Sequence, residues 1–166
     1  DHHDHRKELV EQTIKDIDLS DGGCVMVYNK SFEKTRMKEF TEFFPEYKKE
    51  VDNINNNIFD LLDVLKGNEK LFDVILPQSV KDKSINEPRY TYYHNNMHGS
   101  FSIKKILPLF TNLTYSNLVV KNGTEAIVTY GQLPTLTEKE YNEKYLALRI
   151  YCRQDTWAMV EILRGL

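Results

Sequence analysis

The sequence is poor in cysteine, with two among 166 residues, and it has one tryptophan, five prolines and seven glycines. Cys24 and Cys152 form no CxxC motif, which argues against a disulfide framework or a cysteine zinc site and predicts two reduced thiols in the core. No apolar run approaches the roughly 20 residues of a membrane helix, and no signal peptide is visible. These absences predict a cytoplasmic protein that does not enter a membrane.

The sequence also lacks a large charge of either sign, since its formal net charge is −3. The total charge therefore does not favour nucleic acid as a partner, and a nucleic-acid site would need a local basic patch or a metal. A composition of 40% hydrophobic and 28% charged residues is typical of a soluble globular protein. The length suits one domain over residues 1–166.

Hydrophobic periodicity predicts helices around at least one strand in the first part of the chain. Residues 6–17 have amphipathic helical spacing, and 24–28 form a continuous apolar run that suits a strand buried on both faces of a mostly parallel sheet. A helix is predicted over 34–44, where Pro45 ends it, and a second over 46–57. The segment 58–65 could be a short strand or the start of a helix.

The later part of the chain is predicted to be largely helical. Residues 71–77 are expected to be extended and 81–88 to be a loop, whereas 124–130 could be helix or strand. Thr137 and Glu140 form a capping box that opens a last helix, and this helix contains no Gly or Pro between 141 and 164. Its expected buried stripe consists of Leu148, Cys152, Ala158 or Met159, and Ile162.

Tyr151 and Asp155 lie four residues apart in this last helix, so they project from one face one turn apart. A carboxylate beside a phenol could hold a divalent metal and orient a water molecule. The alternative is an ordinary helix with a surface Asp155 and a half-buried Tyr151.

A second group of polar residues follows the predicted strand at 24–28. Open α/β sheets bind ligands at the carboxyl ends of their strands, which draws attention to Asn29 and Glu33. Asn29 or Ser31 could instead cap the next helix, Phe32 could be a core anchor, and Glu33 could be an acid favoured by the helix dipole. Asp60 could be a helper carboxylate or a helix cap.

The segment 90–107 offers a further site for a phosphate or a base. Ser100 or Ser102 would cap a helix whose Lys104 and Lys105 face outward, and helix N-termini with nearby lysines attract phosphates. Solvated lysines on a capped amphipathic helix are an equal alternative. The tyrosines and His94 of this segment could stack on bases or simply close over a core.

Three stretches carry a resemblance to a known family. YNKSFEKTR resembles the second motif of the DnaQ-like, or DEDD, 3′–5′ exonucleases, where Asn, Phe and an acid open a helix after a buried strand. The acid is Glu33 here and usually Asp in the family. YCRQD resembles the third motif of the tyrosine subclass. Together with HGSFSIKKILP, they resemble the C-terminal domain of a family of uncharacterised bacterial proteins grouped with these exonucleases, from Gly22 to Leu166.

The resemblance implies an α/β protein with a truncated RNase-H-like fold, rich in helices around a small sheet. It implies a two-metal site for Mg²⁺ or Mn²⁺, with Asp155 as a direct ligand, Glu33 as a ligand through water and Tyr151 orienting the attacking water. The substrate would be a single-stranded 3′ end of DNA or RNA. Its implied contacts are Asn29, Phe32, His98, Ser100 and Lys104.

The first motif of that family, Asp-x-Glu on the first strand, has no counterpart before Cys24. We therefore expect a fragment that lacks the first strands and two of four acids, binds Mg²⁺ weakly and cleaves DNA poorly, from a parent that is a metal-dependent exonuclease. The alternative is a degenerate RNase-H-like module that binds nucleic acid or a partner protein without cleavage. A helical fragment of a metabolic enzyme is a third possibility. An exposed sheet edge could also pair two copies as a homodimer.

Overall fold

The computed structural model describes residues 4–67 and 91–166, so the predicted segments 71–77 and 81–88 lie outside the described residues. Within those ranges the protein is rich in helices and contains a two-stranded parallel sheet, which agrees with the predicted α/β class. The chain divides into two compact units, residues 4–101 and residues 102–166. None of the described helices is both long and apolar enough to cross a membrane.

The unit of residues 4–101 contains four described helices and both strands. In chain order they are α1 (Arg6–Asp16), β1 (Val25–Val27), α2 (Lys30–Phe43), α3 (Lys48–Asn56), β2 (Ile58–Asp60) and α4 (Leu61–Lys66). Short 3₁₀ turns occur at Pro45–Tyr47 and Asn95–Met97. The predicted helices over 6–17 and 46–57 are confirmed, while α2 begins four residues earlier than predicted.

The two strands pair in parallel, with Val25 opposite Ile58 and Val27 opposite Asp60. Parallel strands need a long crossover connection, and α2 and α3, which pack on each other, supply it. The predicted strand is therefore present. The prediction that it is buried on both faces is wrong, because only Val27 is buried and Cys24 is exposed. The open alternatives for 58–65 both occur, because β2 leads directly into α4.

The unit of residues 102–166 is entirely helical. Its elements are α5 (Ile103–Phe110), α6 (Gly123–Gln132) and α7 (Glu138–Gly165), with 3₁₀ turns at Tyr115–Asn117 and Leu133–Thr135. The ambiguous segment 124–130 is a helix, begun by Asn122, whose side chain accepts a hydrogen bond from the backbone N–H of Glu125 at 2.9 Å. The predicted capping box of Thr137 and Glu140 is confirmed at the start of α7.

Both α5 and α6 pack against α7. The buried residues of α7 are Ala147, Tyr151, Ala158 and Ile162. The predicted stripe through Leu148 and Cys152 is thus displaced by one residue in its first half, because the large ring of Tyr151 turns inward in place of the thiol. Cys24 and Cys152 are free as predicted, but both are exposed, so the prediction of core thiols is wrong.

Gly165 allows the last turn of α7 to lie directly on α5. A Cβ atom at this position would overlap Cδ1 of Phe110 and stand 3.0 Å from Cβ of the same residue. Because the second of these atoms is close to the backbone of α5, the ring cannot simply swing away. The absence of a side chain at 165 is therefore required for this close packing.

Candidate functional site

The carboxyl ends of β1 and β2 bring together a group that we call the sheet-edge cluster, consisting of Tyr28, Asn29, Glu33 and Asp60. Asp60 is its centre and is only 6% exposed. Its Oδ1 accepts backbone N–H groups of Asn29 at 2.9 Å and Leu62 at 3.0 Å, and its Oδ2 accepts that of Lys30 at 2.8 Å. One carboxylate thus joins the starts of α2 and α4.

Asn29 reaches this position through a left-handed backbone, with φ at 75°. This conformation is tolerated by Asn better than by most residues, and it turns two successive N–H groups toward Asp60. Of the two alternatives Asn29 and Ser31, Asn29 occupies the N-cap position of α2, but its side chain makes no capping hydrogen bond. Asp60 occupies the N-cap position of α4 and caps it with its side chain, as one of its two alternatives predicts.

Glu33 lies in the first turn of α2 and is half-buried. Its Oε2 is buried and has no hydrogen-bond partner among the described residues. Loss of water around the carboxylate raises the pKa of Glu33, and the negative charge of Asp60 raises this pKa further. An ionised carboxylate in such a place is destabilised unless a cation or a donor reaches it.

Tyr28, the fourth member of the sheet-edge cluster, directly follows β1. Its hydroxyl donates a hydrogen bond to the backbone carbonyl of Phe101. Burial raises the pKa of Tyr28 well above its usual range, and the Asp60 carboxylate adds to this increase. The phenol is therefore a neutral donor at physiological pH. Lys30, which follows in the chain, forms an ion pair with Asp63.

A second group, the tyrosine cluster, consists of Tyr115, Tyr151 and Asp155. The rings of Tyr115 and Tyr151 meet edge to face, with centroids 6.2 Å apart. Both tyrosines are buried, and burial followed by the neighbouring Asp155 raises the pKa of each well above its usual range. The structure thus confirms the predicted proximity of Tyr151 and Asp155, although Tyr151 is more deeply buried than expected.

Asp155 differs from Asp60 in that it accepts no backbone N–H and forms no ion pair with a described residue, and its carboxylate interacts instead with the hydroxyls of both tyrosines in the cluster. The Tyr115 hydroxyl is buried and approaches this carboxylate without a well-aligned hydrogen bond. Lys104 of α5 lies with its Nζ 5.8 Å from the centre of the Tyr115 ring. Lys104 is half-buried and Lys105 is exposed, so the prediction that both lysines face outward is confirmed for Lys105 and wrong for Lys104.

The remaining predicted contact residues lie on the unit of residues 4–101. Phe32 is 62% exposed, so the core-anchor alternative is wrong and a role in ligand contact stays a prediction. His98 is exposed and has a left-handed backbone at φ 49°, followed by Gly99 at φ 73°. Ser100 is half-buried, and its N–H donates to the carbonyl of Met97 at 3.0 Å. The roles of His98 and Ser100 in binding remain predictions.

The described residues do not by themselves fit a complete metal centre. No group of three or more His, Cys, Asp or Glu side chains in ranges 4–67 and 91–166 could hold a metal ion. Asp60 already accepts three N–H donors, which leaves Glu33 as the carboxylate of the sheet-edge cluster with an unused oxygen. The predicted Mg²⁺ or Mn²⁺ site therefore stays a prediction that needs further ligands.

Two residues of these clusters were not identified from the sequence as site residues. Tyr28 was counted only as the end of an apolar run, and Tyr115 lies in a polar stretch without periodicity. Tyr115 meets Tyr151 across 36 positions of sequence, and no local pattern signals such a contact. The position of Tyr28 directly after a strand predicted from an apolar run is the one signal that the sequence offered.

Comparison with known proteins assigns the chain to a family through its first 102 residues. The model of the family described as "Domain of unknown function (DUF2779)" matches residues 1–102. The chain belongs to the DUF2779 family. In this DUF2779 chain the matched part includes the whole sheet-edge cluster. No solved structure matches the chain significantly.

The relatives of this DUF2779 chain are longer bacterial proteins. It is 30% identical over 154 residues to "Uncharacterized protein UU173" of Ureaplasma parvum, which covers 82% of this chain and 19% of that protein. It is 31% identical over 149 residues to "Uncharacterized protein MG366 homolog" of Mycoplasma pneumoniae, again with 82% and 19% covered. The chain thus spans about a fifth of the length of these relatives.

Proposed function

We propose that this chain contributes carboxylates to a phosphodiester-hydrolysing site in a longer DUF2779 protein, which acts as a 3′–5′ exonuclease of the RNase-H-like type. The observation that carries the proposal is the state of Asp155. A 28-residue helix holds this carboxylate beside the buried phenols of Tyr115 and Tyr151, both of which interact with it, and among the described residues it forms no ion pair and accepts no backbone N–H. Such a group is suited to an electrophile that the chain does not itself provide.

Glu33 supports the proposal from the other unit. It lies just past the carboxyl end of a parallel strand, where open α/β sheets bind ligands, and its buried Oε2 has no described partner. Burial of an unpaired carboxylate destabilises a protein, and a role in binding a ligand would explain why Glu33 lies in this position. The strand–helix–helix–strand unit from β1 to β2 is also compatible with the proposed RNase-H-like fold.

In this proposal Asp155 would be a ligand of Mg²⁺ or Mn²⁺, both of which prefer oxygen ligands, and Glu33 is a candidate ligand within its own unit. Further carboxylates would come from other parts of the longer protein, which is consistent with a chain that spans about a fifth of its relatives. The hydroxyl of Tyr151, neutral because its pKa is raised, would orient a water molecule. The substrate is a single-stranded 3′ end of DNA or RNA.

The second candidate is a module that binds nucleic acid or a protein partner without cleavage. It is favoured by the commitment of Asp60 to three backbone N–H groups and by the lack of a three-ligand group among the described residues. The candidates differ in whether Asp155 matters for bond cleavage or only for binding.

The deciding experiment compares the full-length DUF2779 protein that contains this chain with its Asp155→Asn variant. Single strands labelled at either end are incubated with Mn²⁺, and products are resolved by length. We expect shortening from the 3′ end and a loss of at least roughly 100-fold in rate for Asp155→Asn, in line with removal of a group that stabilises the transition state. Asp52→Asn, which alters only an exposed ion pair with Lys48, serves as the matched control.

Equal rates for wild type and Asp155→Asn would overturn the exonuclease proposal. Binding of labelled strands by both proteins, with no cleavage by either, would support the non-cleaving module.

A further inference from the structure

A small groove lies on the exposed side of α7, in the unit of residues 102–166. It is about 220 Å³ in volume and is lined by Leu113, Ile150, Arg153, Gln154 and Trp157; we call it the Trp157 groove. Sites for drug-sized ligands are usually about 300–1,000 Å³. The Trp157 groove is smaller, and its volume suits one flat ring system.

The walls of the groove are mostly apolar and include an aromatic ring. Trp157 is 45% exposed and Ile150 is 46% exposed, although both are large hydrophobic residues. Exposed aromatic rings beside aliphatic side chains are the usual platforms on which unpaired bases stack. One face of the indole already carries the guanidinium of Arg164, 5.1 Å from its centroid.

Gln154 gives the groove a polar group that needs a partner. Its side-chain nitrogen is buried and donates no hydrogen bond to a described residue, which is an energetically costly state. Rotation of the amide within the groove would turn this donor toward a ligand. An amide offers a donor and an acceptor side by side, which matches the donor and acceptor edge of an unpaired base, for example N6 and N7 of adenine. A purely hydrocarbon ligand would leave the amide unsatisfied.

The charge around the groove is complementary to a phosphate. Arg153 lines the groove, and Arg149 lies one turn earlier on α7; neither forms an ion pair with a described residue. Residues 102–166 contain eight Lys or Arg against six Asp or Glu, whereas residues 1–101 contain fourteen against nineteen. The basic excess is thus confined to the part of the chain that bears the groove.

From these observations we propose that the Trp157 groove binds one unpaired base of a nucleic-acid strand, stacked on Trp157, with Arg153 on the adjoining phosphate. This inference rests on the proposed substrate class and adds to it a place where the strand is held. It involves none of the carboxylates proposed for cleavage, so binding at the groove is testable apart from hydrolysis.

The chain contains a single tryptophan, and its fluorescence therefore reports on the groove alone. The 166-residue chain is titrated in EDTA with an eight-nucleotide oligo-dA, with an abasic strand of the same length and with AMP. We expect oligo-dA to quench Trp157 and to bind roughly 10-fold more tightly than the abasic strand, since stacking of a base contributes about that factor or more. Equal affinity for the abasic strand would overturn the proposal, and equal affinity for AMP would overturn its claim to a strand.

Variants test the individual contacts by anisotropy of a labelled oligo-dA. Trp157→Leu should weaken binding roughly 10-fold while Trp157→Phe retains most of it, and Gln154→Leu should weaken binding of oligo-dA by removing the hydrogen bonds to the base. Arg153→Gln should lower the salt slope by about 0.7, the value for one phosphate contact in a single strand. Tyr130→Leu, which removes a 66% exposed ring from α6 outside the groove, is the matched control.

Circular dichroism melts of each variant distinguish a local effect from misfolding, and Trp157→Phe keeps the test open if Trp157→Leu does not fold. Unchanged binding by a folded Trp157→Leu would overturn the proposal. If Asp155→Asn abolishes cleavage by the full-length protein while Trp157→Leu binds normally, the groove proposal fails and the exonuclease proposal stands. If Asp155→Asn cleaves at the wild-type rate while Trp157→Leu binds weakly, the exonuclease proposal fails and the groove proposal stands.

Discussion

Asp60 and Asp155 each lie beside tyrosines, yet their surroundings are opposite. Asp60 is 6% exposed and accepts three backbone N–H groups. Asp155 is half-buried and has no described ion pair, and the hydroxyl of neighbouring Tyr115 approaches it without a well-aligned hydrogen bond. A carboxylate offers about four acceptor positions, and Asp60 has used three of them. The comparison distinguishes Asp60, a structural acid that joins the starts of α2 and α4, from Asp155, which is available to a ligand.

The largest effect on the free energy of unfolding is expected when Asp60 is replaced. Asp60→Ala should lower the free energy of unfolding by about 3 kcal/mol, because three buried N–H donors at the starts of α2 and α4 lose their acceptor. The measurement is urea unfolding followed by circular dichroism. Asp155→Asn should change the same free energy by less than about 1 kcal/mol, since no backbone donor loses its acceptor and an Asn side-chain oxygen can still accept from a neighbouring hydroxyl.

Asp52→Asn provides the control for a loss of negative charge alone, since its ion pair with Lys48 is exposed and such pairs contribute little. A loss on Asp155→Asn as large as that on Asp60→Ala would contradict the comparison and would assign Asp155 a structural role.

The sequence predicted most helices and strands, but it could not show which of Asp60 and Asp155 is structural and which is available to a ligand. The capping box of Thr137, the helix over 46–57 and the pairing of Tyr151 with Asp155 all depend on residues close in sequence, where spacing determines geometry. The use of Asp60 depends on a contact across 30 positions with Lys30. Such a contact is fixed by the parallel register of β1 and β2, which the local pattern does not encode.

The displaced stripe of α7 has a similar cause. Helical spacing admits either Cys152 or Tyr151 as the buried residue, and the partner that decides between them is Tyr115, on another element. Likewise, the exposure of Cys24 reflects a strand of three residues where the apolar run suggested five. Residue type predicted apolar character in these places, while tertiary contacts decided which side chain is covered.

The second prediction concerns the hydroxyls of Tyr28 and Tyr115, which differ in hydrogen bonding as Asp60 and Asp155 do. The Tyr28 hydroxyl donates to the carbonyl of Phe101, whereas the Tyr115 hydroxyl approaches the Asp155 carboxylate without a well-aligned hydrogen bond. Tyr28→Phe should therefore cost about 1 kcal/mol at pH 7, and Tyr115→Phe should cost less. Thermal and urea unfolding of both variants provide the test, and a larger cost for Tyr115→Phe would contradict it.

The pH dependence of stability should be the same for both tyrosines. Burial raises the pKa of each, so the folded state keeps these protons above pH 10 while the unfolded state releases them. Stability is therefore complete below about pH 10 and falls as the pH rises beyond it, by about 1.4 kcal/mol per pH unit for each such group. Either variant should reduce the loss between pH 10 and pH 11 by about 1 kcal/mol, unlike the exposed control Tyr130→Phe.

The smallest effect, and the one of opposite sign, is expected at Glu33. Burial raises its pKa, so the folded protein binds this proton more tightly than the unfolded chain. The resulting stability is complete below the ordinary pKa of Glu and is lost as the pH rises through the folded value. Glu33→Gln removes the buried charge and should stabilise the protein at pH 7 by about 0.5 kcal/mol, because the half-exposed carboxylate is partly screened.

Urea unfolding of Glu33→Gln at pH 4 and pH 7 measures this change, with Glu46→Gln, at an exposed ion pair with Lys7, as the control. A carboxylate whose removal stabilises the fold is retained for some property other than stability. If Glu33→Gln is also deficient in cleavage by the full-length protein, Glu33 joins Asp155 as an acid held for a ligand. If the variant is destabilised at pH 7, Glu33 resembles Asp60 instead, and Asp155 alone remains available in the described residues.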